Sequence, residues 1–321
     1  MAASLPNWIR MSAIPHPPKP LSILLVLSLF SFFPQLRELW LRRNASGISP
    51  YYVLFHLISA TELFALAFFF VVNTPREEPP ASDAFVHKPP QPGDYLNLAQ
   101  MALVWVLWLI VFAAVLLLPS QDSSHHPGHR YGISGHNGQG NNTNGSASAR
   151  NPATPIVLPI YIAFLFISLI PVVVDAAWPS HDADYHKWGL ALFHGAHAFF
   201  IYPIIVTLIL ASFFPQRNQI LQHPPGTPSS SLSLIGLAVQ AVVFALLAMS
   251  WIWRLVFPWD EFVDGDPLFY GLWTWYQTVG FVPVDHAAFA LVQAALLAVA
   301  ILHQRPWFAG GESESLLANQ H

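Results

Sequence analysis

The sequence contains no cysteine, and it has few charged residues for its length. Without cysteine there can be no disulfide, no thiolate zinc site and no thiol nucleophile. Only 9% of the 321 residues are charged, whereas a soluble domain has about a quarter. The net charge of −4 leaves no excess of basic residues for nucleic acid. These shortages exclude a disulfide-rich secreted protein, a nucleic-acid-binding protein and a water-soluble globular domain.

Apolar residues are abundant instead, at 54% of the chain, which also excludes a disordered protein. A membrane-spanning helix needs about 20 mostly apolar residues, and seven stretches meet this requirement. They are residues 20–42, 50–72, 97–118, 155–176, 189–214, 231–257 and 280–303. The sequence therefore predicts an all-α, multi-pass membrane protein with seven spans, which we number 1 to 7 in chain order.

A five-residue motif occurs twice in the chain. Ser-Phe-Phe-Pro-Gln stands at residues 31–35 and again at 212–216, each time at the end of an apolar span. Both copies are followed closely by arginine, at Arg37 and Arg217. Such an identity at matching places in two spans indicates an internal repeat, in which Gly47 of the first copy aligns with Ser231 of the second.

These motifs resemble the PQ-loop repeat family, which includes cystinosin and the vacuolar basic-amino-acid exporters and is related to the SWEET transporters. The first copy, from Pro34-Gln35 to Gly47, is close to the family pattern. The second keeps Pro215-Gln216 but has Ser231 where glycine is usual. The resemblance implies two parallel three-helix bundles joined by a linker helix, a 3+1+3 arrangement.

The implied domain limits follow from this arrangement and from a stretch rich in Gly, Asn, Ser and His after span 3. Residues 1–118 would form the first bundle, 119–188 a flexible loop and the linker helix, and 189–303 the second bundle. Residues 304–321 would form a cytosolic tail, because the family places the Pro-Gln turns and the C-terminus in the cytosol.

The two prolines of the repeated motif lie at equivalent places in the first helix of each bundle. Proline removes a backbone hydrogen bond and loosens the preceding turn, so Pro34 and Pro215 are predicted hinges. Gln35 and Gln216 could satisfy backbone groups left free near the membrane boundary. The alternative is that the prolines simply end their helices.

Polar residues within spans are costly and are functional candidates by default. The resemblance expects a polar or acidic residue nine positions after the motif glycine, which gives His56 in the first repeat and Gln240 in the second. Glutamine cannot titrate, so proton coupling would fall to His56, because imidazole titrates near neutral pH. The alternative is that His56 is a packed residue that is hydrogen-bonded to a neighbouring helix.

Other ionisable residues occur in spans 2, 4, 5 and 7. Glu62 follows in span 2, and His194 and His197 share one face of span 5. Asp175 closes span 4 and Asp285 opens span 7, where a location at the headgroup level is the alternative to a role in transport. The predicted path for solute or protons comprises His56, Glu62, His194, His197 and Gln240.

The sequence shows no set of residues that suits catalysis or a cofactor. No Ser-His-Asp order, phosphate-binding loop or HExxH motif is present. The histidines between residues 125 and 136 have no fixed ligand spacing. We therefore predict a protein that is not an enzyme and has neither a cofactor nor a metal site.

The tail contains Glu312 followed by Leu316 and Leu317, a pattern that resembles an acidic dileucine sorting signal. Adaptor complexes read such signals from the cytosol, which suggests a vacuolar or lysosomal membrane. The resemblance thus predicts a transporter of a small solute, an amino acid or a related metabolite, working by alternating access. The alternative is a non-transporting receptor, scaffold or accessory protein of a biosynthetic pathway that keeps the fold, and Gln240 favours this alternative.

Overall fold

A computed structural model describes residues 18–73, 85–87, 90–119, 153–178, 183–222, 231–254 and 268–318. All regular structure in these ranges is helical. The first four helices are α1 (Pro18–Arg42), α2 (Pro50–Asn73), α3 (Pro92–Leu117) and α4 (Thr154–Ala177). Three of them begin at a proline, Pro18, Pro50 and Pro92, in the first turn where a missing N–H costs nothing.

Spans 5 and 7 are interrupted by π-helical turns, whereas span 6 is the single helix α8 (Leu234–Arg254). Span 5 consists of α5 (Ala183–Ala196), π1 (His197–Ile201), α6 (Tyr202–Ala211) and α7 (Phe213–Gln222). Span 7 consists of α9 (Leu268–Trp275), π2 (Tyr276–Gly280) and α10 (Phe281–Ala318). Each π-helical turn is followed within three residues by a proline, Pro203 or Pro283, whose missing N–H weakens regular α-helical bonding there.

Seven helical segments of the described chain are long and apolar enough to cross a membrane, which confirms the predicted fold class. The predicted limits differ most from the structure in spans 5 and 7. Span 5 extends from His186 to Gln222, and span 7 begins at Gly271 rather than at residue 280. The residues at these ends are too polar to be recognised in the sequence as part of an apolar stretch, yet in the structure they continue the helices. Asp285 consequently lies well inside span 7, and its expected place at the opening of that span is wrong.

The seven spans form two bundles of the same design. Span 3 packs between spans 1 and 2, and span 7 packs between spans 5 and 6. The bundles meet where span 1 contacts span 6 and span 2 contacts span 5, a reciprocal pattern that relates the two by a pseudo-twofold axis. Span 4 packs against span 2. Aromatic rings fill the interface between the bundles, for example Phe32 of span 1 at 6.3 Å from Phe244 of span 6.

Two predicted regions cannot be compared with the structure. The histidine-rich loop between spans 3 and 4 lies outside the described residues. The dileucine segment 312–317 falls within the helix α10, but its side chains are likewise outside the described part.

Candidate functional site

The glutamine of the first motif bonds to the backbone of the other bundle. Gln35 donates from Nε2 to the carbonyl oxygen of Ser231 at 2.9 Å, and its Oε1 accepts from the amide of Ser233 at 2.9 Å. Ser233 immediately precedes α8 and caps it, because its Oγ accepts from the amide of Gly236 at 3.0 Å. Gln35 therefore fixes the start of span 6 to span 1.

The glutamine of the second motif makes the equivalent contacts in the opposite direction. Gln216 donates from Nε2 to the carbonyl oxygen of Gly47 at 2.7 Å, and its Oε1 accepts from the amide of Ser49 at 2.9 Å. Ser49 immediately precedes α2. Gln216 is fully buried, so these bonds are made away from water.

The two glutamines thus form a reciprocal pair of cross-bundle contacts, which we call the motif joint. It comprises Gln35 with Ser231 and Ser233, and Gln216 with Gly47 and Ser49. We call this end of the molecule the motif end and the opposite end the far end. The glutamines were predicted to satisfy backbone groups near the membrane boundary, and the groups they bond belong to the opposite bundle.

The turn before span 2 explains the glycine in the first copy of the motif. Gly47 has φ of 81°, a conformation that glycine adopts without strain. The equivalent residue of the second copy is Ser231, whose side chain makes a hydrogen bond that glycine could not make. The Ser231 hydroxyl donates to the carbonyl oxygen of Asn44 at 2.6 Å.

The two motif prolines occupy different local settings. The helix α1 continues past Pro34 to Arg42, so Pro34 does not end it. In span 5 the helix is interrupted at Ser212, and Pro215 lies in the first turn of α7. Hinge motion at either proline remains a prediction.

His56 is buried near the motif end among aromatic rings. Its Nε2 lies 3.2 Å from the Oγ of Ser212. Because this hydroxyl donates to the carbonyl oxygen of Ile209 at 2.6 Å, its oxygen is the acceptor of the hydrogen bond from His56 Nε2. The imidazole ring is packed by Tyr52, Trp108 and Phe289 at 4.6 to 4.9 Å between ring centroids.

These contacts match the packed, hydrogen-bonded alternative for His56, and a role in proton transfer remains a prediction. His56 follows the start of α2 by only six residues, about 9 Å at 1.5 Å per residue, so it lies near the motif end and not at mid-membrane. Gln240 borders a small central cavity with Phe32 and Gln35, which holds about one water molecule. The central space is therefore closed at this end.

Glu62 lies at the middle of α2 and is hydrogen-bonded to two other spans. Its Oε1 is 2.5 Å from Nδ1 of His197 in span 5, and its Oε2 accepts from Ser168 of span 4 at 2.8 Å. Glu62, Ser168 and His197 are at most 2% exposed. Because a lone charge at this depth is costly, the carboxylate and the imidazole stabilise one another.

A second carboxyl group lies close to this pair. Asp285 of span 7 is 3% exposed and interacts electrostatically with Glu62 and with Tyr202. Asp285 Oδ1, the Tyr202 hydroxyl and the Tyr276 hydroxyl are buried without a hydrogen-bond partner among the described residues. His197 and Tyr276 are the first residues of π1 and π2, so both π-helical turns border the cluster, as such turns often do at functional sites.

The structure therefore separates the predicted path residues into two groups. His56 and Gln240 lie toward the motif end, whereas Glu62 and His197 form a direct pair at mid-membrane. His194 lies one turn from His197, with its Nε2 buried and unpaired within the described chain. Ser168 and Tyr276 were not singled out from the sequence. Each carries a hydroxyl group in an otherwise apolar span, and this is the signal that could have identified them. Asp175 lies at the end of span 4 as expected.

The fold and these contacts define a multi-pass membrane protein built from two similar three-helix bundles and a linking helix. Residues 21–75 match the family model of the PQ loop repeat. This match confirms the resemblance on the first copy of the motif and on the span that follows it, including Glu62. No curated protein matches the chain.

Proposed function

We propose that the protein is a PQ-loop-type transporter that moves a small solute, an amino acid or a related metabolite, across an endomembrane by alternating access. The observation that carries this proposal is the motif joint. Gln35 and Gln216 hold equivalent backbone positions of opposite bundles. Two similar bodies that meet through a symmetric contact can rock about it.

The polar cluster at mid-membrane supports the same proposal. Glu62, His197 and Asp285 lie where spans of both bundles converge, and buried ionisable groups inside a membrane are typical of solute and proton pathways. The central cavity at the motif end holds about one water molecule, which suits a state closed toward the side of the Pro-Gln turns.

Proton coupling and a vacuolar or lysosomal membrane are parts of this proposal. The second-repeat position that is acidic in the resembling exporters is Gln240 here, so the titratable candidates are Glu62, His197 and His56. The dileucine pattern at residues 312–317 would direct the protein through adaptor complexes, provided that the tail faces the cytosol.

Flux measurements test the proposal directly. The full-length protein would be placed in sealed liposomes or assayed in isolated vacuoles against a panel of amino acids at two lumenal pH values. We expect flux of at least one solute that depends on pH. The matched control is Glu62→Gln, which keeps the size and hydrogen bonding of the side chain but cannot titrate, and it should retain solute binding while losing the pH dependence.

The second candidate function is a receptor or accessory protein that does not transport. Gln240 favours it, because glutamine cannot titrate at the position where the resembling exporters have an acidic residue. Absence of flux for every solute at both pH values, with the protein folded and correctly sorted, would establish this alternative and refute the transporter.

A further inference from the structure

A cavity of about 250 Å³ lies at the far end between spans 2, 4 and 5. Its walls are mainly apolar and are formed by Phe69, Pro171, Val172, Gly189, Leu190 and Phe193. Two ionisable residues also line it, with Nδ1 of His186 3.3 Å from Oδ1 of Asp175. Their other polar atoms, Asp175 Oδ2 and His186 Nε2, are buried without a partner in the described chain and are available for water.

The linker helix lines both the cavity and the buried cluster with one face. Ser168, Val172 and Asp175 follow one another at spacings of four and three residues, which places them on the same side of α4. Ser168 donates to Glu62, and the other two residues line the cavity. The cavity therefore leads along this face from the far end toward Glu62.

Spans 2 and 5 also carry a cavity-lining residue and a residue of the buried pair on one helix face. Phe69 lies two turns beyond Glu62 on α2, and Phe193 lies one turn before His197 in span 5, so each aromatic residue shares a face with its polar neighbour. The Phe193 ring is 4.0 Å from the His197 ring and 4.9 Å from the Phe69 ring. These two phenylalanines separate the cavity from the Glu62–His197 pair.

We propose that protons reach the Glu62–His197 pair from the far end through this cavity, with Phe69 and Phe193 as the barrier. The linker span then forms one wall of a proton path that is distinct from the interface between the bundles. This inference rests on the proposed function only for the role of the proton, which would be coupled to solute transport. The path itself is a property of the buried pair and the cavity.

The proton balance of this step is simple. With one ring proton on Nδ1, His197 donates to the Glu62 carboxylate and the pair carries a net charge of −1. A hydronium ion in the cavity transfers a proton to Nε2 of His197 and leaves as water, while the Nδ1 proton of His197 passes to the Glu62 carboxylate. The pair is then a neutral imidazole beside a protonated, neutral Glu62. Because a net charge at mid-membrane is costly, release of that proton requires a rearrangement that admits water to the site.

The groups that face Glu62 come from three spans. Span 5 contributes His197 and Tyr202, span 7 contributes Asp285, and span 4 contributes the uncharged Ser168. Of the described histidines in span 5, His194 is close enough to interact with His197.

Among the described residues, aromatic rings pack across the interface between the bundles. At the far end Phe85 lies 5.7 Å from Trp251 and 6.1 Å from Phe281, with nearly parallel rings. Toward the motif end the rings around His56 close the space. The cavity beside span 4 is thus the more direct route for water to Glu62.

The absence of native cysteine allows a test by plugging the cavity. Gly189 lines it, and a Cβ placed there meets no other atom within 4 Å. Gly189→Cys in the full-length protein would be reconstituted in liposomes and alkylated with N-ethylmaleimide. The matched control is Gly195→Cys, which lies in the same span away from the cavity and is equally open.

The measurement is the protonation of Glu62 after a pH jump, followed by its carboxyl infrared band, which is assigned by its loss in Glu62→Gln. Alkylated Gly189→Cys should lose the fast response, whereas alkylated Gly195→Cys should keep it. Phe193→Ala, which needs no labelling, should accelerate the response. An unchanged response in alkylated Gly189→Cys, or a Glu62 band that does not change with pH, would overturn the proposed path.

Solute flux measured in the same vesicles keeps this inference distinct from the proposed function. Plugging that slows the Glu62 response in a protein without flux for any solute would support the path and refute the transporter. Solute flux with full pH dependence in alkylated Gly189→Cys would support the transporter and refute the path.

Discussion

The two ends of the bundle interface differ in how far their buried polar atoms are hydrogen-bonded. At the motif end, Gln35 and Gln216 pair both of their polar atoms with backbone groups of the opposite bundle, while Nδ1 of the nearby His56 is buried without a partner among the described residues. Toward the far end, Tyr202, Tyr276 and Asp285 have buried polar atoms without partners among the described residues. An unpaired buried polar atom costs free energy, and hydration removes this cost. Opening the far half to water would therefore stabilise its unpaired atoms, whereas opening the motif end would break hydrogen bonds that are already made.

This contrast predicts that the motif joint stays in place while the far half rearranges. The π-helical turns and the cavity lie in the far half, where regular packing is already interrupted. Spacing within the sequence could not show this difference, because both ends contain the same kinds of polar residue.

The largest expected effect comes from breaking the motif joint. Gln216→Leu leaves the Gly47 carbonyl and the Ser49 amide unpaired, and each buried group should cost about 1–3 kcal/mol. We expect a clear fall in the midpoint temperature of thermal unfolding in detergent, and a similar fall for Gln35→Leu. The matched control is Gln240→Leu, which removes a buried glutamine outside the joint, and an equal fall in this control would contradict the assignment.

Overpacking beside the second π-helical turn should have a smaller effect. A Cβ at Gly280 would lie 2.5 Å from the Trp275 ring, so Gly280→Ala forces that ring to move, at a typical cost of about 1–3 kcal/mol. Gly271→Ala in the same span meets no atom within 4 Å and should be nearly neutral. Equal thermal stability of the two variants would show that the turn is not tightly packed.

His56 tests whether the motif end takes part in proton coupling. His56→Gln keeps a hydrogen bond to Ser212 within reach but cannot titrate, so pH-dependent flux should fall if His56 carries a proton. Ser212→Ala, which removes the partner and leaves the imidazole, is the control and should keep the pH dependence. Full pH dependence in His56→Gln would make His56 a packing residue and leave Glu62 and His197 as the coupling groups.

The smallest effect on stability is expected at the motif prolines. Pro34→Ala restores a backbone donor within α1 and introduces a better helix former, so the unfolding temperature should not fall. Flux in liposomes should nevertheless decrease if the proline is a hinge. Wild-type flux in both Pro34→Ala and Pro215→Ala would show that the prolines have no part in the motion.

The spans and the repeat were predictable because length, apolar content and an exact five-residue recurrence are one-dimensional signals. The pairing of Glu62 with His197 was not, because it depends on which spans meet, although both residues were candidates. The true depth of Asp285 was missed since the helix begins in a segment too polar and aromatic to resemble a span. The partners of Gln35 lie nearly two hundred positions away, and no local pattern indicates them.

Each π-helical turn has a consequence for how the chain can tolerate changes in length. Such a turn accommodates one residue more than an α-helix would over the same rise, as though a residue had been inserted. Deleting one residue from 198–201 would therefore restore a continuous α-helix and leave the segments before and after it in nearly the same rotational register, because the wider turn had absorbed the extra residue. His197 would still face Glu62, whereas the same deletion between two regular α-helical turns would rotate the flanking segments by about 100° relative to one another.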